Sequence, residues 1–484
     1  MSVYDLRTWL DKMEEAGELA HVNGADPMFE VGCISDLTRH AYGPALLFDN
    51  FEGHEPGFRV LTGALSASKS MALTVGLEGE YSNKELVRAM AGKLEEAEKR
   101  LAEFDYEIVE DGPIFENQVF GDDVDLDILP VPTWHEMDGG PYIGTGIFQV
   151  HVDPENGHTN AGCYRVMKMN KREVGNFIGP GHHGHTIRNK YWARGEGCPT
   201  IMVMGAHPAF FMLGSTDVDE DVSEFAVVGS LMNTKVPMVK GKITGLPFPA
   251  ESEIVLEGYV YPDKRQKEGP FGEFTGYYGR GETENEYYME VEALYYRNDP
   301  ILLGCPPCKP PHDFSYSQAV TRSAAVMVAL KKAGVPGVQC VWDSETGGGR
   351  MWLVTSIKQC LPGHASQAAC AAAFSYAGNI LNKWSIVVDD DIDPTDADQV
   401  NWALCTRVNP IEDIDIIRCT TTTPLDPALR PEVKKTGVIE SSRAIIRATI
   451  PYDRVIRGDF PPVVWPSEEL EARVRDKFGD LGIF

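Results

Sequence analysis

Lys267-Glu268-Gly269-Pro270-Phe271-Gly272-Glu273-Phe274-Thr275-Gly276-Tyr277-Tyr278 sets two carboxylates five residues apart around a Gly-Pro-Phe-Gly turn, with an aromatic run behind them. Gly269 and Gly272 let the backbone bend where a side chain would clash, and Pro270 stiffens the bend. A rigid turn of this kind can hold Glu268 and Glu273 toward one pocket while the aromatics keep water out. Paired carboxylates in a dry site have their proton affinities pushed apart, which equips one for acid chemistry and the other for holding a cation. The competing explanation is a structural turn with two solvated glutamates, and the surrounding sequence decides between them.

Upstream, residues 1–115 have mixed α/β texture. Leu6, Trp9, Leu10 and Met13 recur at helical spacing, and residues 45–48 and 59–61 read as short buried strands. Ser82 is a plausible N-cap for a long helix whose stripe is Leu86, Met90, Leu94, Ala97 and Leu101. From 116 to 310 the texture turns to β. Ile254, Leu256, Gly258 and Val260 alternate with other residues, as do Met289, Val291, Ala293 and Tyr295. Many short strands with few helices predict a barrel or a strongly curved sheet. From 311 to 484 α/β character returns, with helices over 319–333 and 367–381 and a buried strand over 384–388. The expected fold class is therefore α/β multidomain, in three parts.

The 484 residues exceed one ordinary core, and the 72 acidic against 44 basic residues give a formal charge of −28. That balance speaks against nonspecific nucleic-acid binding and against adhesion to anionic membranes. Ten scattered cysteines make no disulfide framework, and a cytoplasmic location is expected. No apolar run is long enough for a membrane span, and the acidic N-terminus is no signal peptide. Cys305-Pro306-Pro307-Cys308 has CxxC spacing without a companion pair, and the acidic run 389–393 lacks EF-hand spacing, so both are weak metal candidates. Neither a P-loop nor a convincing Rossmann glycine pattern is present.

Further polar groups flank the β region. Thr159-Asn160-Ala161-Gly162-Cys163-Tyr164-Arg165 puts an arginine at a strand end, where a guanidinium can grip a carboxylate with two parallel hydrogen bonds. Gly181-His182-His183-Gly184-His185 follows; adjacent residues on a short loop rarely all face one ion, so one histidine is the expected ligand. With Ser223-Glu224 further on, Asn160, His183 and Glu224 would offer an amide oxygen, an imidazole and a carboxylate. That mixed set suits Mn²⁺ or Mg²⁺ better than structural zinc.

Taken in order, Tyr164-Arg165, the His183 loop, Ser223-Glu224, the 268–278 turn and the strand end at 387–393 resemble the UbiD family of reversible decarboxylases, which includes ferulic acid decarboxylase. The resemblance implies a central split β-barrel related to flavin reductases, flanked by an α/β N-terminal part and a C-terminal α/β domain that forms dimers. It implies prenylated FMN, provided by a flavin prenyltransferase, with Mn²⁺ or Mg²⁺ and K⁺ beside its phosphate. Asn160, His183 and Glu224 match the divalent-metal ligands, with Tyr164 and His182 beside them in the cofactor site. Arg165, Glu268 and Glu273 match the catalytic network: Arg165 holding the substrate carboxylate, Glu273 delivering the proton that replaces CO₂, and Glu268 pairing with Arg165. Glu rather than Asp at 273 sides with the ferulic-type branch.

Two positions depart from the family pattern. Tyr376 stands before Ala377-Gly378 where many relatives carry a phosphate-binding lysine, and Lys383 is the alternative from the same stretch. Thr423 precedes Pro424-Leu425-Asp426-Pro427 where relatives acting on phenolic acids carry a histidine, which turns the expectation toward a heteroaromatic or polycyclic acid. His312, in Pro310-Pro311-His312-Asp313, matches the substrate-facing loop. The alternatives are a decarboxylase of an α,β-unsaturated acid and, further off, a flavin oxidoreductase on the same barrel.

Overall fold

The alternating apolar pattern around 254–260 and 289–295 becomes the spine of the molecule. The computed structural model describes residues 3–482 except 55, 145, 217, 219–221, 280–282 and 436. Within it, Ile254–Glu268 and Thr283–Tyr296 pair antiparallel in the middle of a seven-stranded sheet. The spatial order is Asn117–Phe120, Thr283–Tyr296, Ile254–Glu268, Cys198–Met204, Ile147–Val152 and Thr159–Gly162, with Glu173–Gly175 pairing separately onto Thr283–Tyr296. Among the described strands this sheet is not closed into a barrel; Asn117–Phe120 and Thr159–Gly162 are its ends.

Both faces of the sheet are buried, because successive side chains point to opposite sides. Phe148, Val150, Ile201 and Val203 pack with Phe210 and Phe225 of the helices Pro208–Gly214 and Glu224–Met232. Ile147, Met202, Met204 and Leu256 pack into a second cluster on the opposite side, with Trp134 and Tyr142. Register shifts near Val260 and Gln266 bend Ile254–Glu268 before it ends at Glu268. The first residue of the decisive turn is thus the last residue of a central strand.

The N-terminal sheet is built from Leu19–Asn23, Ala45–Asp49 and Arg59–Thr62, joined by Ile301–Leu303 from far along the chain. The C-terminal sheet runs Val338–Asp343, Trp352–Ile357, Trp384–Asp389, Glu440–Ala448 and Ile414–Thr421. Ser82 caps the helix Asn83–Glu98 reciprocally with Glu85, as its sequence predicts. Leu101 falls beyond that helix. The helix expected over 367–381 is instead two, His364–Phe374 and Tyr376–Asn379. Ser375 breaks it in an extended conformation and caps the second piece through its hydroxyl. A serine competing for backbone hydrogen bonds overrides the alanine-rich propensity there.

Two buried histidines serve as helix N-caps. His207 Nδ1 accepts from the Ala209 N–H at 3.3 Å, and His312 Nδ1 accepts from the Ser315 N–H at 3.3 Å. Burial pushes them down from 6.5 to about 3 and about 4 respectively. A group whose folded value lies below its unfolded value takes up its proton in the unfolded chain first. The neutral caps therefore keep their full contribution above pH 6.5 and lose it as pH falls toward those folded values. At about pH 5 the cost should be about 2 kcal/mol for each histidine. Urea unfolding across pH should show this slope, and His207→Asn, which keeps an acceptor at the cap, should remove about half of it.

Candidate active site

The turn that follows Glu268 is shaped by two glycines. Gly269 has φ +87°, a backbone region that L side chains rarely enter. Gly139 approaches so closely that a Cβ there would sit 2.0 Å from the Gly269 carbonyl oxygen. The Gly139 N–H donates to the Pro270 carbonyl at 2.8 Å, and the Glu273 N–H donates to the Tyr277 carbonyl at 3.0 Å. Phe271 is buried and stacks on Tyr142 with ring centroids 3.7 Å apart. The two glutamates are therefore held by a backbone that is braced from both sides.

Arg165 lies three residues beyond the end of the edge strand Thr159–Gly162 and reaches both. Its Nη2 donates to Glu268 Oε2 at 2.7 Å and its Nη1 to Glu273 Oε1 at 3.3 Å. The guanidinium also lies over the Phe177 ring, 4.6 Å from its centroid. Side-chain exposure is 9% for Arg165, 1% for Glu268 and 14% for Glu273, so the three charges meet in a largely dry place. Burial pulls the guanidinium down, but Glu268 and Glu273 together hold it above its ordinary value. The other oxygen of Glu268, Oε1, accepts from the Tyr142 hydroxyl at 2.6 Å. The Arg165 bond to Glu268 is short and charge-assisted, and the one to Glu273 is longer, with Glu273 the more open of the two.

Five residues before Arg165, Asn160 is buried on the edge strand. Its Nδ2 donates to Glu224 Oε1 at 3.0 Å, and the Ala161 N–H donates to Glu224 Oε2 at 2.9 Å. Ser223 caps the helix that begins with Glu224 and so fixes where that carboxylate starts. Asn160 Oδ1 is buried with no hydrogen-bond partner among the described residues. Burial pushes Glu224 up to about 7, against the bonds from Ala161 and Asn160. That amide oxygen beside a buried carboxylate fits a hard divalent cation, which would satisfy the one and stabilise the charge of the other. His183 opens the helix His183–Ala193, which packs on the same strand; no hydrogen bond joins it to Asn160 or Glu224. Tyr164 meets His182 edge-on at 5.6 Å and lies against Gly184.

The remaining expected positions are placed differently. Tyr376 is 64% exposed at the start of its short helix. Lys383 is committed to the buried Asp426, Nζ to Oδ1 2.5 Å. His312, expected toward the substrate, is buried, and its Nε2 bonds to the Phe274 carbonyl at 3.0 Å while Nδ1 caps its helix. It thereby ties the backbone next to Glu273 to the start of the helix Asp313–Lys332. Among the described residues no group of three or more His, Cys, Asp or Glu is arranged for a metal. Cys305 and Cys308 are buried cysteines that form no disulfide, and Asp389 and Asp391 pair with Arg407 at 2.9 and 2.6 Å. Tyr142 and Phe177 are site neighbours that sequence reasoning missed. The only local signal is Gly139-Gly140-Pro141 ahead of Tyr142, another turn rich in special backbone.

Known proteins resemble the chain along its whole length. The domains described as 3-octaprenyl-4-hydroxybenzoate carboxy-lyase N-terminal, Rift-related and C-terminal match residues 10–90, 107–310 and 315–448. The chain is 32% identical, over an alignment of 506 positions including gaps, to pyrrole-2-carboxylic acid decarboxylase of Pseudomonas aeruginosa, covering 99% of both. It is 30% identical over 488 to phenolic acid decarboxylase of Escherichia coli O157:H7, covering 98% of this chain and 97% of that one. Its fold superposes with TM-score 0.84 on the UbiD-class enzyme HmfF of Pelotomaculum thermopropionicum, solved with FMN, at 27% identity over 96% of this chain and 98% of that one. Vanillic acid decarboxylase of Sedimentibacter hydroxybenzoicus gives TM-score 0.83 at 28% identity, covering 99% and 98%.

If the close approach at Gly139 is what braces the turn, adding one methyl there should be costly. Gly139→Ala should destabilise the protein by about 2 kcal/mol or more in urea unfolding. Gly92→Ala, in an exposed helix position where a Cβ meets nothing within 4 Å, should instead stabilise it by about 0.5–1 kcal/mol.

Proposed function

The chain belongs to the UbiD family of carboxy-lyases, and on that footing we propose that it reversibly decarboxylates an aromatic or heteroaromatic carboxylic acid with prenylated FMN. The observation that carries this is the buried Glu268–Arg165–Glu273 contact, one guanidinium between two carboxylates. HmfF has been solved with FMN and, in an evolved dimeric form, with prenylated FMN, which supports the cofactor. The heteroaromatic preference rests on Thr423 at the family's phenolic-acid position and on the pyrrole-2-carboxylic acid relative.

Loss of CO₂ from an sp² carbon leaves an electron pair that no side chain delocalises, and prenylated FMN when bound supplies that electron sink. The protein orients and protonates. Arg165 binds the substrate carboxylate and aligns the bond that breaks. The Glu273 carboxyl gives its proton to the carbon that CO₂ leaves, and the resulting carboxylate is reprotonated from solvent. Glu268 keeps Arg165 aimed and offsets its charge. Asn160, His183 and Glu224 would hold Mn²⁺ or Mg²⁺, with K⁺ nearby, and Tyr164 and His182 would flank the cofactor. Of Tyr376 and Lys383, the lysine would have to give up Asp426 to reach a phosphate.

We assign the cofactor to the 116–310 part, built as a flavin-reductase-like split barrel, with the 1–115 part beside it and the 311–484 part forming a homodimer or a higher assembly. Exposed Ile456, Val464 and Trp465, at 68%, 98% and 76%, support burial of that C-terminal stretch against another copy. A flavin prenyltransferase would supply the cofactor, and CO₂ is the second product. No helix of the described residues is long and apolar enough to cross a membrane.

Co-expression with a flavin prenyltransferase, followed by a CO₂-release screen of pyrrole, furan, indole and polycyclic carboxylic acids, tests the assignment. Release from one acid with bound prenylated FMN is the expected result; ordinary FMN with a redox product would overturn it. Glu273→Gln should lower turnover by about 10²–10⁴-fold with cofactor content retained. Glu224→Gln should lower bound manganese as measured by elemental analysis, and unchanged manganese would remove it from the ligand set.

A further inference from the structure

Gly139, whose N–H braces Pro270, follows directly on Asp138, and both oxygens of Asp138 are engaged. Its Oδ1 accepts from the hydroxyl of Tyr278, at the far end of the 268–278 stretch, at 3.1 Å. Its Oδ2 accepts from the His135 N–H at 2.9 Å and lies 3.7 Å from His135 Nδ1. The other ring nitrogen, Nε2, meets Asp36 Oδ2 at 2.9 Å on the helix Glu30–His40. One imidazole thus sits between two carboxylates, one on an N-terminal helix and one joined to the turn. The Asp138 side chain has no exposure and those of His135 and Asp36 have 24% each, so water screens the contact weakly. Backbone seats the same segment on that helix: the Phe29 N–H donates to the Thr133 carbonyl at 2.9 Å, and a Cβ at Gly32 would sit 2.0 Å from the Trp134 carbonyl oxygen. Burial pulls the imidazole down, but hydrogen bonds and charge from Asp138 and Asp36 outweigh it and raise it from 6.5 to about 9. The ring is therefore a cation at neutral pH. Its further titratable and charged neighbours are Tyr278 across Asp138, and Cys308, Arg39 and His312 around Asp36.

We propose that His135 is a positioning residue for the decarboxylase site: as an imidazolium between Asp36 and Asp138, it clasps the turn bearing Glu268 and Glu273 to the N-terminal helix. This rests on the decarboxylase reading and adds what keeps its turn in place. The clasp acts at two points, through Asp138 on Tyr278 and through the next residue, Gly139, on Pro270. Glu273 lies between those two points in the chain. A group whose folded value is raised holds its proton more tightly in the folded chain. The contribution of the clasp is therefore complete below pH 6.5 and is lost as pH rises through about 9. With the ring neutral, the charge that joins the two carboxylates is gone, and the Tyr278 end of the turn is free to open.

His135→Gln removes the cation and keeps an amide donor. In the full-length protein at about pH 7, amide hydrogen exchange in peptides spanning 268–278 should speed up about 10-fold or more, the size of a lost hydrogen bond to a charged group. Peptides spanning 254–260, in the central strand, should exchange as in wild type. Tyr278→Phe cuts the link on the turn side; it should release the same 268–278 peptides and leave the His135 titration in place. NMR of carbon-13-labelled histidines, assigned by the signal missing from His135→Gln, should show the His135 ring titrating near pH 9. In the reconstituted enzyme, kcat should fall about 10-fold in His135→Gln. Wild type should lose turnover reversibly over the alkaline range in which His135 titrates, a limb that His135→Gln lacks. A His135 ring titrating near its ordinary 6.5 overturns the proposal, as does wild-type exchange of 268–278 in either variant. Should His135→Gln fail to fold, Tyr278→Phe and the wild-type pH series decide the matter. If wild type releases no CO₂ from any acid, the decarboxylase reading fails, while exchange and titration still decide whether the clasp exists.

Discussion

A guanidinium taken out of water must be compensated, and Arg165 is compensated twice, by Glu268 and Glu273. That requirement orders the structure around it. Two carboxylates must arrive within one short stretch of chain, on a backbone braced by the Gly139 contact. The Ile254–Glu268 strand delivers the first, and the turn beyond Gly269 delivers the second.

The three sheets contribute unequally to that constraint. The seven-stranded sheet carries both sides of the contact, Glu268 near its middle and Arg165 just past its edge. The N-terminal sheet receives Ile301–Leu303, which anchors the chain a few residues before His312. His312 then bonds to the Phe274 carbonyl and caps Asp313–Lys332, so the backbone beside Glu273 is tied to the C-terminal part. The Glu273 side of the site is thus supported by elements distant in sequence, and its geometry depends on how they pack.

Much of this was legible in the chain because it is encoded locally. Gly269, Pro270 and Gly272 announce a turn through backbone freedom and restriction, and Ser82 with Glu85 announces a helix start through side-chain chemistry. The alternation in 254–260 and 289–295 gave the paired central strands because one sheet face repeats every second residue. What stayed hidden is non-local. Tyr142 looks like any core aromatic until the fold sets it 126 positions away against Glu268. His312 reads in sequence as a substrate-facing residue, and only tertiary packing shows both its nitrogens engaged with backbone. Ser375 broke an alanine-rich helix that propensity alone would have continued.

The central claim is that Glu273 moves the proton at the carbon that CO₂ leaves. The most direct measurement is exchange of that product hydrogen in D₂O, followed by NMR on reconstituted wild type and Glu273→Gln with matched cofactor content. The account predicts exchange at that single carbon by wild type and its loss, by about 10²-fold or more, in Glu273→Gln. Exchange by the variant at the wild-type rate would contradict it and send the search for the acid elsewhere in the pocket.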